Sequence, residues 1–341
     1  MRRLVSVPAL VLLGLAFVML LPLWLPIALV IDLVTAPRRL PRARLLAFGL
    51  WWSWLEIAGL VVAGWLFVTG RARQTAPHYR LQRWWANGLV VGLRTTCSLY
   101  LEPRNLELLT PGPVVVLPRH ASLADALLSA WFVTQVGLQP RYVLKRELLV
   151  DPCLDIVGNR LPDHFLDRHT TDSGPELAAL WSLAEGATGP LDAVVIFPEG
   201  TRANPEKRAR GLARLAERNP ARATKLAALQ HLNPPRPAGT LAVLNGAATA
   251  DVVFVAHAGF EGLDSFSGIL RAIPGTAPVL VDCERVARRE VPLGDDARTA
   301  WLDDQWLLMD QWVDALLRER SARAGAGTAA GARAEARAET P

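Results

Sequence analysis

A histidine and an aspartate follow an apolar run at a spacing that could serve proton transfer. They are His120 and Asp125, in the stretch VVVLPRHASLADALLSA at residues 114–130. A carboxylate that binds the far nitrogen of a histidine fixes the tautomer of the imidazole and stabilises its cation, as in hydrolytic triads. On one continuous helix these two side chains would point about 140° apart. The pair can form only if a strand ends near His120 and a helix begins after it.

Helix capping explains the same aspartate equally well. Ser122 is a suitable N-cap, and Ser-x-x-Asp is a variant of the capping box, in which Asp125 binds backbone N–H groups. The chain has no G-x-S-x-G nucleophile elbow, and Ser122 is better used as a cap than as a nucleophile. A histidine base without a protein nucleophile predicts attack by a substrate hydroxyl, which is direct transfer to an alcohol.

A second polar stretch follows a later apolar run. In VVIFPEGTRANPEK, residues 194–207, a strand is expected to end at Phe197 and a helix to begin at Pro205. The loop between them contains Glu199, Gly200, Thr201 and Arg202. In α/β sheets, loops at the carboxyl ends of strands bind ligands. A glycine there permits close backbone approach, and an arginine offers a bidentate fork for phosphate. An ordinary surface turn is the alternative for this stretch.

The elements that must position these residues alternate along the chain. Short β-branched runs predict strands at residues 114–117, 141–144, 193–197, 252–256 and 278–281. Alanine- and leucine-rich stretches predict helices at residues 122–135, 175–186, 205–217, 220–231 and 298–320. Strands interleaved with helices predict an α/β fold, with a mixed, largely parallel sheet flanked by helices.

The N-terminus is apolar enough to enter a membrane. Residues 4–31 carry no charge, and a second apolar run at residues 45–70 carries Glu56 near its middle. Each run is longer than the roughly 20 residues that a membrane span needs. Arginine clusters precede, separate and follow the two runs, so the positive-inside rule cannot place all three clusters on one side of two full spans. A hairpin that enters one leaflet would remove this conflict.

Composition sets the remaining boundaries. We expect a membrane-embedded helical anchor at residues 1–70, an interfacial helical segment at 71–105, the α/β domain at 106–320 and a disordered tail at 321–341. The formal charge of +5 is spread along the chain and does not favour nucleic acid as a partner. Three cysteines match no metal or redox spacing and are expected to be reduced thiols: Cys97, Cys153 and Cys283.

Together the two polar stretches resemble the signatures of the glycerolipid acyltransferase family, which includes lysophosphatidic acid and glycerol-3-phosphate acyltransferases. RHASLAD at residues 119–125 resembles the H-x4-D motif, and FPEGTR at 197–202 resembles the second signature. GNRLPDHFLDR at 158–168 is similar to the family's block between these two motifs. YVLKREL at 142–148 lies just before it, at the usual position of the preceding block. LNPPRPAGTLAVL and the later ADVVFVAHAGFEG resemble the fourth block. The likeness covers roughly residues 77–317.

Some positions depart from the family pattern, and they concern the head group of the acceptor. The bacterial lysophosphatidate enzymes commonly have asparagine at the position of Arg119. An arginine at this position is typical of the subgroup that remodels lysophospholipids. The Pro-Arg that ends at Arg236 resembles lysocardiolipin and lysophosphoinositide acyltransferases of that subgroup, although Pro237 replaces a hydroxyl residue. His164 precedes Phe165 where a β-branched residue is usual. Arg119 and the Pro-Arg favour an enzyme that remodels lysophospholipids.

The resemblance implies a mechanism and a set of site residues. His120 would take the proton from a glycerol hydroxyl as that oxygen attacks an acyl thioester, while Asp125 holds the imidazole. Arg202 and Arg168 would bind the phosphate of the acceptor, and Glu199 would position its glycerol hydroxyl. The residues expected to bind substrate are Glu199, Gly200, Thr201, Arg202, Arg168, Arg119, Lys145 and Arg236.

Other groups have smaller expected roles. Lys145 and Arg236 would serve the membrane interface or the phosphates of the donor, and backbone N–H groups after Ala121 would stabilise the oxyanion. No metal or cofactor is expected. Four further histidines are expected to be structural or exposed: His78, His169, His231 and His257.

The predicted function is transfer of a fatty acyl group from acyl-CoA or acyl carrier protein to lysophosphatidic acid, which forms phosphatidic acid. The expected partners are the lipid membrane, the lysophospholipid acceptor and the thioester donor. The expected location is the inner cell membrane, with the catalytic domain in the cytoplasm. The alternatives are remodelling of another lysophospholipid, transfer between phospholipids without a thioester, thioester hydrolysis, and an inactive membrane lipid-binding or scaffold protein.

Overall fold

The computed structural model describes residues 2–122, 124–167, 173–263 and 265–338, with side chains as far as residue 325. The helices are α1 (Arg2–Met19), α2 (Leu21–Thr35), α3 (Pro41–Val68), α4 (Thr75–Cys97), α5 (Ala124–Gln135), α6 (Pro152–Gly158), α7 (Gly174–Glu185), α8 (Pro205–Arg218), α9 (Pro220–Leu226), α10 (Pro237–Gly246), α11 (Phe266–Ala272) and α12 (Asp295–Ala338). The strands are β1 (Leu101–Arg104), β2 (Val114–Pro118), β3 (Gln139–Lys145), β4 (His164–Leu166), β5 (Asp192–Val195), β6 (Asp251–Ala258) and β7 (Val279–Val286). Short 3-10 helices cover Leu106–Leu109, Arg146–Val150 and Arg288–Glu290.

The strands form one seven-stranded sheet in the order β1-β7-β6-β2-β5-β3-β4. Every neighbouring pair is parallel except β6 and β7, which are antiparallel. This confirms the predicted mixed, largely parallel sheet flanked by helices. Strand β2 lies between β6 and β5, and all of its residues are buried. Because β2, β3, β5 and β6 run the same way, their carboxyl ends meet at one edge of the sheet.

Helices cover both faces of the sheet, and the side chains of β2 alternate between the two resulting cores. Val115 and Leu117 pack with α7, α10 and α12 on one face. Val114 and Val116 pack with α4 and α5 on the other. A strand that is buried on both faces reads as an unbroken apolar run, which is why VVVL carries no polar alternation.

The apolar N-terminus folds into three helices that lie along the α/β domain. Helices α1 and α3 are long and apolar enough to cross a membrane, and α2 is shorter. The first apolar run breaks after Met19, because Pro22 lies in the first turn of α2. The start of this helical unit and the turn between α2 and α3 contact the domain: Arg2 Nη2 lies 2.7 Å from Asp155 Oδ1 of α6, and Arg39 Nη2 donates to Ile273 O at 3.0 Å.

The observed elements differ from the predicted ones in a few places. Strands β1 and β4 and helices α6, α10 and α11 were not predicted, since each is short or interrupted by proline or glycine. The helix predicted at 220–231 ends at Leu226, because the Asp310 carboxylate of α12 accepts hydrogen bonds from the N–H groups of residues 230–232. Helix α12 continues to Ala338, where the composition predicted a disordered tail from residue 321. Alanine-rich sequence has high helix propensity, which explains this continuation.

Trp306 packs α12 against the core of the α/β domain. It is fully buried, and its indole N–H donates to Asn233 O at 3.0 Å. We expect Trp306→Ala to lower the free energy of unfolding by about 3–5 kcal/mol, because it leaves a large cavity and an unpaired carbonyl. Denaturant unfolding measures the change. Leu308→Ala, on the exposed side of the same helix, is the control and should shift stability by less than about 0.5 kcal/mol. Equal effects of the two substitutions would contradict this packing.

Candidate active site

His120 and Asp125 meet where β2 gives way to α5. The strand ends at Pro118 and the helix begins at Ala124, so the intervening turn replaces the helical geometry that would hold the two side chains apart. His120 Nδ1 lies 3.0 Å from Asp125 Oδ2. Because a carboxylate only accepts hydrogen bonds, this contact places the proton on Nδ1 and leaves Nε2 with a lone pair. That is the tautomer a general base needs.

The same aspartate also caps the helix. The Ser122 N–H donates to Asp125 Oδ2 at 2.6 Å, and the Ser122 hydroxyl donates to Asp125 Oδ1 at 2.8 Å. The Ala124 N–H in turn donates to Ser122 Oγ at 3.0 Å. Capping and histidine orientation, which the sequence left as alternatives, are therefore two uses of one carboxylate. The Ser122 N–H, expected to serve the oxyanion, is already used by Asp125.

The FPEGTR stretch lies beside His120 because β5 is the parallel neighbour of β2. The Ala203 N–H donates to His120 O at 2.6 Å, which holds the loop against the turn that carries the histidine. Gly200 has a φ of +66° and faces the Arg236 side chain, whose Cδ would lie 3.1 Å from an added Cβ. A glycine is therefore required here by both backbone conformation and close approach.

A cavity of about 470 Å³ opens beside these groups. Its polar lining includes His120, Lys145, Arg202 and Arg236, and Gly200 contributes backbone. Much of the remaining wall is apolar and includes Val143, Leu148, Leu166, Leu177, Leu180 and Ile196. Among the described residues, neither Arg202 nor Arg236 forms an ion pair with a carboxylate. The arrangement offers a base, cations for an anionic group and an apolar surface in one space.

Several of the predicted site residues thus line one cavity, and others do not. Arg119, Glu199 and Thr201 lie outside its lining. Arg168, predicted to bind phosphate, lies outside the described residues, as does His169. The predicted substrate contacts are brought together at Gly200, Arg202, Lys145 and Arg236.

Comparison with known proteins identifies the domain that carries this site. Residues 101–226 match the family model described as Acyltransferase. These residues form an acyltransferase domain, and the protein is an acyltransferase. The chain is also similar to a solved structure, the 1-acyl-sn-glycerophosphate (LPA) acyltransferase PlsC from Thermotoga maritima. The two share 16% sequence identity over 93% of this chain and 98% of that chain, with a TM-score of 0.43. No curated protein sequence matches the chain.

In this acyltransferase, Glu199 joins two backbone segments of the site through its carboxyl group. Its side chain is fully buried. One carboxyl oxygen accepts the His120 N–H at 2.7 Å, and the other accepts the Asn233 N–H at 2.8 Å. Burial raises the pKa of Glu199 to about 8, although both N–H groups and the Arg119 guanidinium favour the carboxylate. Each oxygen thus holds one backbone N–H of the protein, and the contact with a glycerol hydroxyl stays a prediction.

Arg119 is likewise a structural group of the acyltransferase domain. Its side chain is buried, with Nη1 donating to Glu261 Oε1 at 2.8 Å and to the carbonyl of His257. Strand β6 and the turn after it supply these partners, and Arg119 does not line the cavity that His120 lines. The resemblance predicted a substrate contact for Arg119, and this contact stays a prediction.

The sequence missed His257, which lies on the other side of Asp125. The imidazole is buried, and its Nε2 lies 3.4 Å from Asp125 Oδ1. Burial would raise the pKa of Asp125, but the imidazoles of His257 and His120 and the Ser122 N–H outweigh it, so the pKa lies below its ordinary value. The pairing of Pro118 with Val255 could have indicated this neighbour, since it places residue 257 at the sheet edge that carries His120.

The buried role of Glu199 is testable by an isosteric change. Glu199→Gln must place an amide NH2 against one of the two backbone N–H donors, so we expect the free energy of unfolding to fall by about 1–3 kcal/mol. Thermal or denaturant unfolding measures this loss. The matched control is Glu206→Gln at the exposed start of α8, which should leave stability unchanged. A Glu199→Gln variant of normal stability with a raised KM for the acceptor would restore the hydroxyl-binding interpretation.

Proposed function

We propose that this acyltransferase transfers a fatty acyl group from a thioester, acyl-CoA or acyl carrier protein, to the free hydroxyl of lysophosphatidic acid. The observation that carries the proposal is the His120–Asp125 pair beside a cavity that combines an apolar wall with the Arg202 and Arg236 guanidinium groups, neither of which pairs with a carboxylate of the described residues. A lysophosphatidic acid has a phosphate, a free hydroxyl and one acyl chain. These match, in turn, the arginines, the histidine and the apolar surface.

The mechanism follows from the tautomer of His120. Nε2 accepts the hydroxyl proton as the substrate oxygen attacks the thioester carbonyl, and Asp125 stabilises the imidazolium that results. The tetrahedral oxyanion then collapses, the carbon–sulfur bond breaks, and the imidazolium returns the proton to the leaving thiolate. Arg202 and Arg236 hold the acceptor phosphate by bidentate hydrogen bonds and orient the hydroxyl towards Nε2.

Lysophosphatidic acid is favoured over a larger lysophospholipid by the position of Arg119. The case for a remodelling enzyme rested on this residue and on the Pro-Arg at 235–236. The Arg119 guanidinium is buried and bound to Glu261, so it cannot contact a head group without leaving that pair. Arg236 remains in the cavity, where a phosphate monoester would satisfy it without further head-group contacts.

The reaction is tested in membranes that contain the protein. Long-chain acyl-CoA or acyl carrier protein thioester is supplied with and without lysophosphatidic acid, and free thiol and labelled phosphatidic acid are both followed. We expect product that depends on the acceptor. A positioned general base contributes roughly 10²–10⁴-fold, so His120→Ala should lose about that factor in kcat. Arg202→Gln should raise the KM for lysophosphatidic acid, because it removes a phosphate contact.

Two variants outside the cavity serve as controls for this assay. His231→Ala removes a histidine whose partner is Asp314, and Arg208→Gln removes a basic side chain of α8 outside the cavity lining. Both should retain normal kinetics. Thiol release without an acceptor would indicate a hydrolase, and a clear preference for another lysophospholipid would indicate remodelling. If neither free thiol nor labelled phospholipid forms with any donor and acceptor, the protein would be interpreted as an inactive lipid-binding or scaffold protein.

We propose that α1–α3 enter one leaflet of the inner membrane as a hairpin, with the catalytic domain in the cytoplasm. Three contacts with the catalytic domain support this. At its start, α1 is tied to the domain through Arg2 and Arg3, which both pair with Asp155. The turn between α2 and α3 is tied through Arg39, which donates to Ile273 O, and near the end of α3 Arg160 Nη1 donates to Ala63 O at 2.9 Å. Contacts of all three arginine clusters or their neighbours with one domain favour one side of the bilayer for the clusters, in agreement with the positive-inside rule.

The hairpin predicts one-sided labelling. Cysteines introduced by Pro37→Cys and Arg73→Cys, before and after α3 and both exposed, should react with an impermeant maleimide from the cytoplasmic side only. Right-side-out and inverted vesicles provide the comparison. The three native cysteines are buried, so the unmodified protein is the background control. Labelling of the two positions from opposite sides would instead indicate that α3 crosses the bilayer.

A further inference from the structure

His257 is a buried histidine that the proposed mechanism does not use. Its exposed fraction is 1%, and neither ring nitrogen has a well-formed hydrogen bond to the described residues. An unsatisfied imidazole in a protein interior is costly, so its presence calls for a physical explanation. Its nearest ionic neighbour is the carboxylate of Asp125, with Nε2 3.4 Å from Oδ1.

The position of His257 on the sheet explains this contact. Strand β6 is parallel to β2, and His257 is the second-last residue of β6, so it reaches the same edge as His120. The carbonyl of His257 accepts a hydrogen bond from Arg119, which anchors its backbone. Asp125 is therefore flanked by two imidazoles, with Oδ2 facing His120 and Oδ1 facing His257.

We propose that His257 is a positioning residue for acyl transfer, whose Nε2–H holds Oδ1 of Asp125 so that Oδ2 stays aligned with the Nδ1–H of His120. Since a carboxylate only accepts hydrogen bonds, the proton of the neutral ring lies on Nε2. The contact is longer than the roughly 2.7–3.2 Å of a well-formed N–H···O bond, and catalytic hydrogen bonds often tighten when substrate binds. This inference rests on the proposed function of His120 as the base.

The charge of the surroundings supports a neutral His257. The charged or titratable groups that face it are Asp125 from α5, Arg119 from the turn after β2, and Glu261 from the turn after β6. Burial lowers the pKa of His257 below its ordinary value, and Arg119 adds to this, while Asp125 and Glu261 oppose it. His257 then acts as an N–H dipole, which orients Asp125 without neutralising it.

Removal of this dipole has a defined effect on the pH profile. Without His257, Oδ1 keeps the Ser122 hydroxyl as a donor but loses the imidazole, so the coupled Asp125–His120 pair binds a proton more readily, whichever member carries it. A protonated pair cannot act as a base. The acid limb of the kcat profile should therefore move to higher pH.

The experiment compares two substitutions of similar size. His257→Gln keeps an N–H donor, whereas His257→Met fills the site without one. We expect His257→Met to lose roughly tenfold in kcat at neutral pH, with KM unchanged and the acid limb displaced upwards. His257→Gln should restore most of the rate and the normal profile. In an Asp125→Asn background, His257→Met should cause no further loss, because the group it acts through is already altered.

Controls separate orientation from packing. His231→Met removes an imidazole from another His–Asp pair, with Asp314, and should leave kcat and its pH profile unchanged. Unfolding temperatures are measured for all variants. If His257→Gln and His257→Met both retain the wild-type profile, or if both lose activity only in proportion to stability, the positioning role is refuted.

A measurement without substrate keeps this inference distinct from the proposed function. The low-field NMR resonance of the His120 Nδ1–H reports its hydrogen bond to Asp125. We expect the resonance to persist in His257→Gln and to shift or broaden through solvent exchange in His257→Met. An unchanged resonance in His257→Met would overturn the positioning role even if acyl transfer is confirmed. A shifted resonance would support it even if the acceptor proves to be another lysophospholipid.

Discussion

The carboxylate of Asp125 is the group on which the site depends. A fully buried carboxylate must be surrounded by donors, since its desolvation is otherwise prohibitive. Here the donors are the N–H and hydroxyl of Ser122 and the ring of His120, with His257 at a longer distance. One set of hydrogen bonds thus starts helix α5, shapes the turn after β2 and fixes the tautomer of His120, the proposed base. At Asp125, local folding and the alignment of His120 cannot be separated.

The central position of β2 extends this arrangement to the rest of the domain. Its two neighbours, β5 and β6, run parallel to it, so their carboxyl ends deliver Glu199 to one side of His120 and His257 to the other. Glu199 then ties the backbone of His120 to that of Asn233, whose carbonyl is bound by Trp306 of α12. A chain of buried hydrogen bonds therefore connects the C-terminal helix to the backbone of His120. Arg202 and Arg236 lie beside this chain, because Asn233 donates to Thr201 O and the Arg236 N–H donates to Pro198 O.

Much of this could be predicted from the sequence. Unbroken β-branched runs between alanine- and leucine-rich stretches predicted the parallel core of the sheet, and apolar length predicted the N-terminal helices. The types and spacing of His120 and Asp125, with Arg202 in its loop, predicted a base and a phosphate contact. The short strands β1 and β4 were missed because a run of three or four residues has no readable period. The end of α9 was missed because the carboxylate of Asp310, some 80 residues distant in the chain, takes up the N–H groups that would have continued the helix.

The sequence by itself determined which residue types are available for the predicted chemistry, and the tertiary structure decided which partners each of these side chains meets. A histidine followed five positions later by an aspartate, with no serine nucleophile, already indicates direct transfer to an alcohol. Arg119 and Glu199 were predicted to contact substrate from the same motifs, yet both are buried and bound within the protein. His257 carried no local signal, yet it lies against the carboxylate of Asp125. The reason is physical: residue type and spacing fix what a side chain can do, but strand order and burial fix which partners reach it first.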